Sequence, residues 1–192
     1  MIRSVIEWGM TSFWTGSRVR LRGIEAEDST ALMRFASDEE GLGDLLHPPR
    51  PAEYFTTRAQ EGAAAAPGGD RFALVIESVE TGQAVGVVAS HRADPNMGWF
   101  EYGVTLGADH RRKGYATEAV VILLRFMFAE RRYHKCEARI LDHNEASLAL
   151  HRRIGFVEEG RLRDRAYYGG RHHDLVVMGI LAAEFIQLHP AR

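Results

Sequence analysis

The feature that most constrains this chain is a basic, glycine-bearing turn set between a strand and a long amphipathic helix, with a second strand beyond. Residues 99–106 (Trp99-Phe100-Glu101-Tyr102-Gly103-Val104-Thr105-Leu106) read as a strand. The turn Arg111-Arg112-Lys113-Gly114-Tyr115-Ala116 follows. Residues 115–129 then place Ala116, Ala119, Val120, Leu123, Leu124 and Met127 on one helical face. Residues 136–141 are a short apolar strand. Strand, crossover helix and strand in that order predict a β-α-β unit, with the basic turn opening the helix.

The remaining segments wrap a mixed sheet around this unit. Arg18-Val19-Arg20-Leu21-Arg22 alternates with period two, so it is a strand. A helix is expected next, with Asp28 as N-cap and Ala31, Leu32 and Phe35 as its apolar stripe. Residues 42–51 form a Gly/Pro-rich loop, and residues 52–66 a second helix ended by Pro67-Gly68-Gly69. Strands at 72–76 and 84–90 flank a turn at Glu80-Thr81-Gly82-Gln83, and a loop at Asp94-Pro95-Asn96 leads into the strand at 99–106. Asn144 caps a short helix over 144–153 that Gly155 ends. Two last strands flank Tyr168-Gly169-Gly170-Arg171 as a hairpin. The predicted order is β-α-α-β-β-β-α-β-α-β-β, an α/β (α+β) fold with a mixed sheet. The 192 residues suit one domain, expected over 17–185, with a leader at 1–16 and a tail at 186–192.

Composition excludes several classes. The net charge of −2 gives no field that would gather a polyanion, so no nucleic-acid partner is expected. The longest apolar run, residues 119–124, stops at Arg125, far short of the roughly 20 residues that span a bilayer. The single cysteine, Cys136, rules out an internal disulfide and reads as a small core hydrophobe of a cytoplasmic protein. His172 and His173 precede Asp174, but neighbours on a strand point to opposite faces and cannot easily share one ion, so no metal is expected in this protein.

The turn at 111–116 has the makings of a phosphate cradle. A helix N-terminus offers unpaired N–H groups and a partial positive charge. Gly114 lets the backbone approach an anion without a Cβ between, Ala116 is small for the same reason, and Arg111, Arg112 and Lys113 add counter-charge. Read as a lone hexapeptide, it is equally a solvated basic turn. Glu118 suits the positive end of the helix dipole, or pins the turn through an arginine.

Arg111-x-x-Gly114-x-Ala116, after a strand and opening a helix, resembles the signature of the GNAT superfamily of N-acetyltransferases. Lys113-Gly114-Tyr115-Ala116-Thr117-Glu118-Ala119 is similar to the branch that acetylates the N-termini of bacterial ribosomal proteins. So are Asn144-Glu145-Ala146-Ser147, Ile154-Gly155-Phe156 and Gly170-Arg171-His172-His173-Asp174. The resemblance runs from about Arg18 to Leu181. It implies a mostly antiparallel sheet in which residues 102–106 splay from the parallel strand at 136–141, with flanking helices. It implies acetyl-CoA as acyl donor, its pantetheine arm along Val104, Thr105 and Leu106 and near Asn144. Its pyrophosphate would rest on the N–H groups of Arg112, Lys113, Gly114, Tyr115 and Ala116. The acceptor expected is a protein N-terminal α-amine, the alternatives being acetylation of a small amine or an aminoglycoside, or a non-catalytic acyl-CoA-binding sensor, and the protein is expected to be a monomer or homodimer. The loops at 42–51 and 62–70 and the hairpin residues Tyr167, Tyr168 and Arg171 would border that acceptor.

The implied reaction is attack of an amine on a thioester. At pH 7 a lysine amine costs about 4–5 kcal/mol to deprotonate, an α-amine about 1–1.4 kcal/mol. Glu101, opening the strand before the cradle, is the first candidate base; the plain alternative is an exposed strand-end glutamate. His91 is a second candidate. Ser147 and His151 lie four apart on one helical face, near the expected sulfur. Many members of the superfamily carry a tyrosine at the His151 position, where it protonates the departing thiolate. This chain departs from that pattern, and the resemblance favours Ser147 for the role. N-terminal capping and surface exposure are the plain alternatives for the two residues.

Overall fold

The computed structural model describes residues 12–36, 48–65 and 68–190. Among them, seven strands form one sheet in the order β1-β2-β3-β4-β5-β7-β6. These are β1 (Val19–Arg22), β2 (Phe72–Ser78), β3 (Ala84–Asp94), β4 (Trp99–Leu106), β5 (Lys135–Leu141), β6 (Val157–Tyr168) and β7 (Arg171–Leu181). Helices α1 (Ser29–Ala36) and α2 (Ala52–Ala64) lie between β1 and β2. Helix α3 (Tyr115–Arg125) crosses from β4 to β5, α4 (Glu145–Ile154) leads to β6, and α5 (Ala182–Leu188) follows β7. The mixed, mostly antiparallel sheet with flanking helices is as the sequence predicts.

Only β4 and β5 are parallel neighbours, and they pair at Trp99, Phe100 and Glu101 against Lys135, Cys136 and Glu137. Both strands run on, β4 to Leu106 and β5 to Leu141, without further pairing to one another. The sheet therefore opens into a V from Tyr102 onward, the splay the resemblance implies. β3 closes the other side of β4 in antiparallel register, with an irregularity between Ser90 and Arg92. The extra residue there is His91, and such a bulge turns a side chain out of the regular alternation.

The core lies between the sheet and α3. Ala119, Val120, Leu123 and Leu124 have no solvent exposure, so the predicted face is the buried one. Burying each large apolar side chain stabilises the fold by roughly 1.5–3 kcal/mol. From β4, Phe100 packs edge-on against Tyr133 at 5.3 Å and Phe128 at 5.7 Å. Cys136 is fully buried among these residues, and burial raises its thiol pKa well above the ordinary value. The helix, expected to run to 129, passes at Phe126 into a π turn (Phe126–Glu130) in which Phe126 packs against Trp14 at 4.6 Å.

Several expectations are corrected. Asp28 does not cap α1; it ends a short 3-10 turn (Ala26–Asp28), accepts the Glu25 N–H and pairs with Arg22 Nη1 at 2.8 Å. A buried carboxylate with a guanidinium in reach takes the charge partner over the local cap. The expected tail at 186–192 is instead occupied by α5 and its cap as far as residue 190. Phe185 is 2% exposed, and His189 Nε2 lies 2.8 Å from the Ile154 carbonyl. A seven-residue helix held by one buried phenylalanine leaves no periodic signal to read. The leader's residues 12–16 lie on the domain, with Thr15 bridged to Arg20; the rest of it, and loop residues 42–47, fall outside the described residues.

Candidate active site

Gly114 caps α3 with φ +82°, a left-handed conformation that glycine adopts without strain. Arg112 also has positive φ, +61°. The turn is thus coiled so that successive N–H groups precede the helix, whose first turn adds more with no intrahelical acceptor. The segment Ser17-Arg18-Val19, from near the start of the chain, is held against it. Arg18 Nη1 donates to the Lys113 carbonyl at 2.9 Å. Glu118 accepts the N–H groups of Ser17, Arg18 and Val19 at 2.8, 2.7 and 2.8 Å, and the Ser17 hydroxyl at 2.7 Å. Burial alone would raise the Glu118 pKa, but these four donors outweigh it and hold the carboxyl below its ordinary value. Glu118 therefore pins the turn, as one of its two readings held, through backbone amides rather than an arginine side chain.

The V between β4 and β5 starts at Tyr102 and runs to Leu106, the end of β4 from which the chain leads into this turn. Val104 and Leu106 are half-buried and Thr105 is exposed, along the stretch of β4 that β5 leaves unpaired. Across the V, Asn144 Oδ1 accepts the Ser147 N–H at 3.0 Å, so Asn144 is the N-cap of α4. The cap fixes where Ser147 and His151 stand on the helix. His151 is 4% exposed. Its Nδ1 lies 2.7 Å from the Ser147 carbonyl and 3.4 Å from the Ser147 hydroxyl. The shorter contact is to a group that can only accept, so Nδ1 carries the proton and Nε2 accepts from the Tyr102 hydroxyl at 2.8 Å. Burial lowers the His151 pKa and raises that of Tyr102, which keeps the imidazole neutral and the phenol protonated. The partner Tyr102 was not singled out in the sequence, because a tyrosine at a core-facing strand position looks like any other core aromatic.

On the opposite face of β4 stands Glu101, 5% exposed rather than an open strand end. Its Oε1 meets Arg139 Nη2 of β5 at 3.0 Å and Arg92 Nη1 of β3 at 3.4 Å. His91, thrown out by the β3 bulge, is exposed and lies beside Gly103, its ring within 3.3 Å of where a Cβ would stand. The structure thus brings Glu101 and His91 to neighbouring places on one face, and Ser147 and His151 to the other flank of the V. Arg92 and Arg139 were missed, since they reach Glu101 only through strand register.

A coiled, positively framed helix N-terminus, a splayed parallel pair and an amide-capped helix across it define a class: proteins that hold a phosphorylated, extended acyl carrier. A family model described as an acetyltransferase (GNAT) domain matches residues 18–157. The chain belongs to the GNAT acetyltransferases, enzymes that transfer acetyl groups from acetyl-CoA to amines. It is 32% identical to the SPbeta prophage-derived uncharacterized N-acetyltransferase YokL of Bacillus subtilis, over 91% of this chain and 96% of that one. A GNAT-family acetyltransferase from Bacillus anthracis shares the fold at TM-score 0.76 and 21% identity, covering 88% of this chain and 98% of that one. Spermidine N-acetyltransferase from Vibrio cholerae, solved with CoA and spermine, shares it at TM-score 0.77 and 20% identity, covering 89% and 99%. Among the described residues, no helix is long and apolar enough to cross a membrane.

Proposed function

We propose that this N-acetyltransferase acetylates the α-amine of a protein or peptide N-terminus, with Glu101 taking the amine proton. The observation that carries the reading is the pair of guanidiniums, Arg92 and Arg139, on the Glu101 carboxylate. A polyamine acceptor carries several positive charges and needs carboxylates left unmatched. Here the carboxylate facing the acceptor side is matched, and two cationic groups stand beside it. An N-terminus brings one charge, which it loses at about 1–1.4 kcal/mol at pH 7, and peptide carbonyls that guanidiniums can hydrogen-bond.

The cradle fits the acyl donor: N–H groups from Arg112 to Ala116 would take the pyrophosphate, with Arg111 at the rim. The β4 groups of Val104, Thr105 and Leu106 and the Asn144 amide nitrogen would take the pantetheine. The amine nitrogen then attacks the thioester carbonyl carbon and its proton passes to Glu101, directly or through one water. A β4 N–H near Val104 would donate to the charge growing on the carbonyl oxygen; such donors contribute about 10²–10³-fold elsewhere. The C–S bond breaks and the Ser147 hydroxyl supplies the thiolate's proton or hydrogen bond. His151, with both ring nitrogens engaged, holds Tyr102 and Ser147 in place. A cytoplasmic location goes with this reading, as does the reduced Cys136 thiol.

The second reading is a small polyamine acceptor, favoured by the likeness in fold to the spermidine enzyme of Vibrio cholerae. Steady-state kcat/KM at pH 7 for a peptide with a free N-terminal alanine, against spermidine, separates the two. The α-amine reading predicts an advantage of order 10²-fold for the peptide, the ratio of neutral amine available. Preference for spermidine would replace it with the second.

A further inference from the structure

The geometry points to a divalent metal site of zinc type, built from Asp142, His143 and His173, on the face of the sheet that carries Glu101. The ligand atoms of these three side chains all lie within 4.8 Å of one another. Asp142 Oδ1 is 3.4 Å from His143 Nδ1 and 3.5 Å from His173 Nδ1. Two ligands bound tetrahedrally to zinc at its usual bond lengths of about 2.0–2.1 Å stand about 3.3–3.4 Å apart. The carboxylate oxygen is therefore already at the edge length of such a site from both imidazoles.

Separate elements supply the ligands and hold them still. Asp142 and His143 form the turn after β5, just before the Asn144 cap that fixes the start of α4. The Asp142 N–H bonds the Asp174 carbonyl at 3.1 Å, tying that turn to β7 beside His173. His173 is 5% exposed and stacks on Tyr168 at 4.1 Å between ring centroids, so its rotamer is fixed by packing. The Tyr168 hydroxyl lies 2.9 Å from His143 Nδ1 and also contacts its Nε2. A metal taken by Nδ1 would displace it there and leave it on Nε2, as the outer hydrogen bond that metal-binding histidines usually have. Two imidazoles and one carboxylate suit zinc, cobalt or nickel, whereas an all-oxygen set would suit magnesium or calcium. Three protein ligands leave a fourth position for water or another oxygen.

The strand alternation that argued against a metal on His172 and His173 holds: His172 is exposed and His173 buried. The partners of His173 come instead from the turn after β5. Alternation along β7 sets His173 on the face of Val177, which pairs with Arg139, so the site shares a face with Glu101. A metal here would staple the tip of the β6–β7 hairpin to the β5 end.

The test uses the full chain stripped with a chelator and titrated with Co²⁺, reading the visible d–d bands that four-coordinate cobalt shows strongly. One equivalent is expected to bind, with Zn²⁺ displacing it and Mg²⁺ failing to. His143→Gln changes an exposed side chain whose aromatic contacts among the described residues are limited to Tyr168 and His173, and an unchanged Tm without metal shows that the fold is kept. The substitution should weaken binding beyond the roughly 10–100-fold that loss of an outer partner costs. Asp142→Asn should do the same, and His172→Gln should leave binding unchanged. Absence of the bands at several equivalents of Co²⁺, or equal binding by parent and His143→Gln, would overturn the site.

Discussion

Glu101 Oε1, in the last paired rung of the parallel strands, stands 3.0 Å from Nη2 of Arg139, which lies two residues beyond the rung partner Glu137, where β4 and β5 separate. The ion pair thus sits at the apex of the V and couples the proposed base to the strand that forms its other wall. Because Arg92 contacts the same oxygen, both guanidiniums orient the carboxylate and leave Oε2 outside these pairs. Glu101→Gln should lower kcat at neutral pH by about 10²–10⁴-fold with little change in acetyl-CoA affinity. The defect should shrink as pH approaches the acceptor's own pKa, where the amine is already neutral. Profiles of kcat against pH with one acceptor check this; near-parental rates throughout would remove Glu101 from proton transfer.

Gly114→Ala acts on the cradle. At φ +82° a Cβ would stand 2.5 Å from Arg18 Nη1, so both the backbone and the Arg18 brace must yield. A left-handed non-glycine residue costs about 1–2 kcal/mol. CoA at 100 times its Kd should stabilise the parent by about 2.7 kcal/mol, a rise in Tm of roughly 5–11 °C. The variant should melt a few degrees lower and lose most of that CoA-dependent rise. Thermal melts with and without CoA measure both, and an undiminished rise would place the phosphate elsewhere.

The cradle's brace should also be readable in pH. The folded pKa of Glu118 is depressed, so its contribution is fully present above the unfolded value near 4.5 and is lost as pH falls through the folded one. Glu118→Gln should remove that contribution. Parent and variant are therefore expected to differ in Tm at pH 6–7 and to converge as pH drops below the carboxylate range. A constant gap in Tm down to pH 3 would show that the ionised form is not what the three N–H groups hold.

His151 gives the opposite end of the scale. Its pKa is lowered by burial, so the unfolded chain takes up a proton first as pH falls below about 6.5. Stability from this residue is complete above that value and declines below it until the folded pKa is reached. His151→Gln should flatten the decline between pH 6.5 and 5 and leave CoA-induced stabilisation intact. Loss of turnover together with a shifted profile of kcat against pH would instead give His151 a part in proton transfer beyond holding Tyr102 and Ser147 in place.

The large crossover was legible because each of its parts carries a local signal: apolar spacing along α3, the glycine at its start, the β-rich run after it. Asn144 and Gly155 were equally legible, since capping chemistry is local. What escaped was set by register and burial. Arg92 and Arg139 meet Glu101 only because β3, β4 and β5 align as they do. Tyr102 finds His151 only through the core, and Glu118 reaches backbone some hundred residues earlier in the chain. Asp28 was misread because a distant arginine outcompeted the local cap. α5 was missed because its one strong anchor, Phe185, is defined by what it packs on.

The most direct measurement gives the enzyme a single acceptor peptide bearing both a free N-terminal alanine and an internal lysine, with acetyl-CoA, at pH 7. Tandem mass spectrometry then locates the acetyl group. The account predicts acetylation of the α-amine alone at early times, because that amine loses its proton about 3–4 kcal/mol more cheaply than the lysine. Acetyl groups on the lysine, or transfer to added spermidine while the peptide stays unmodified, would contradict it.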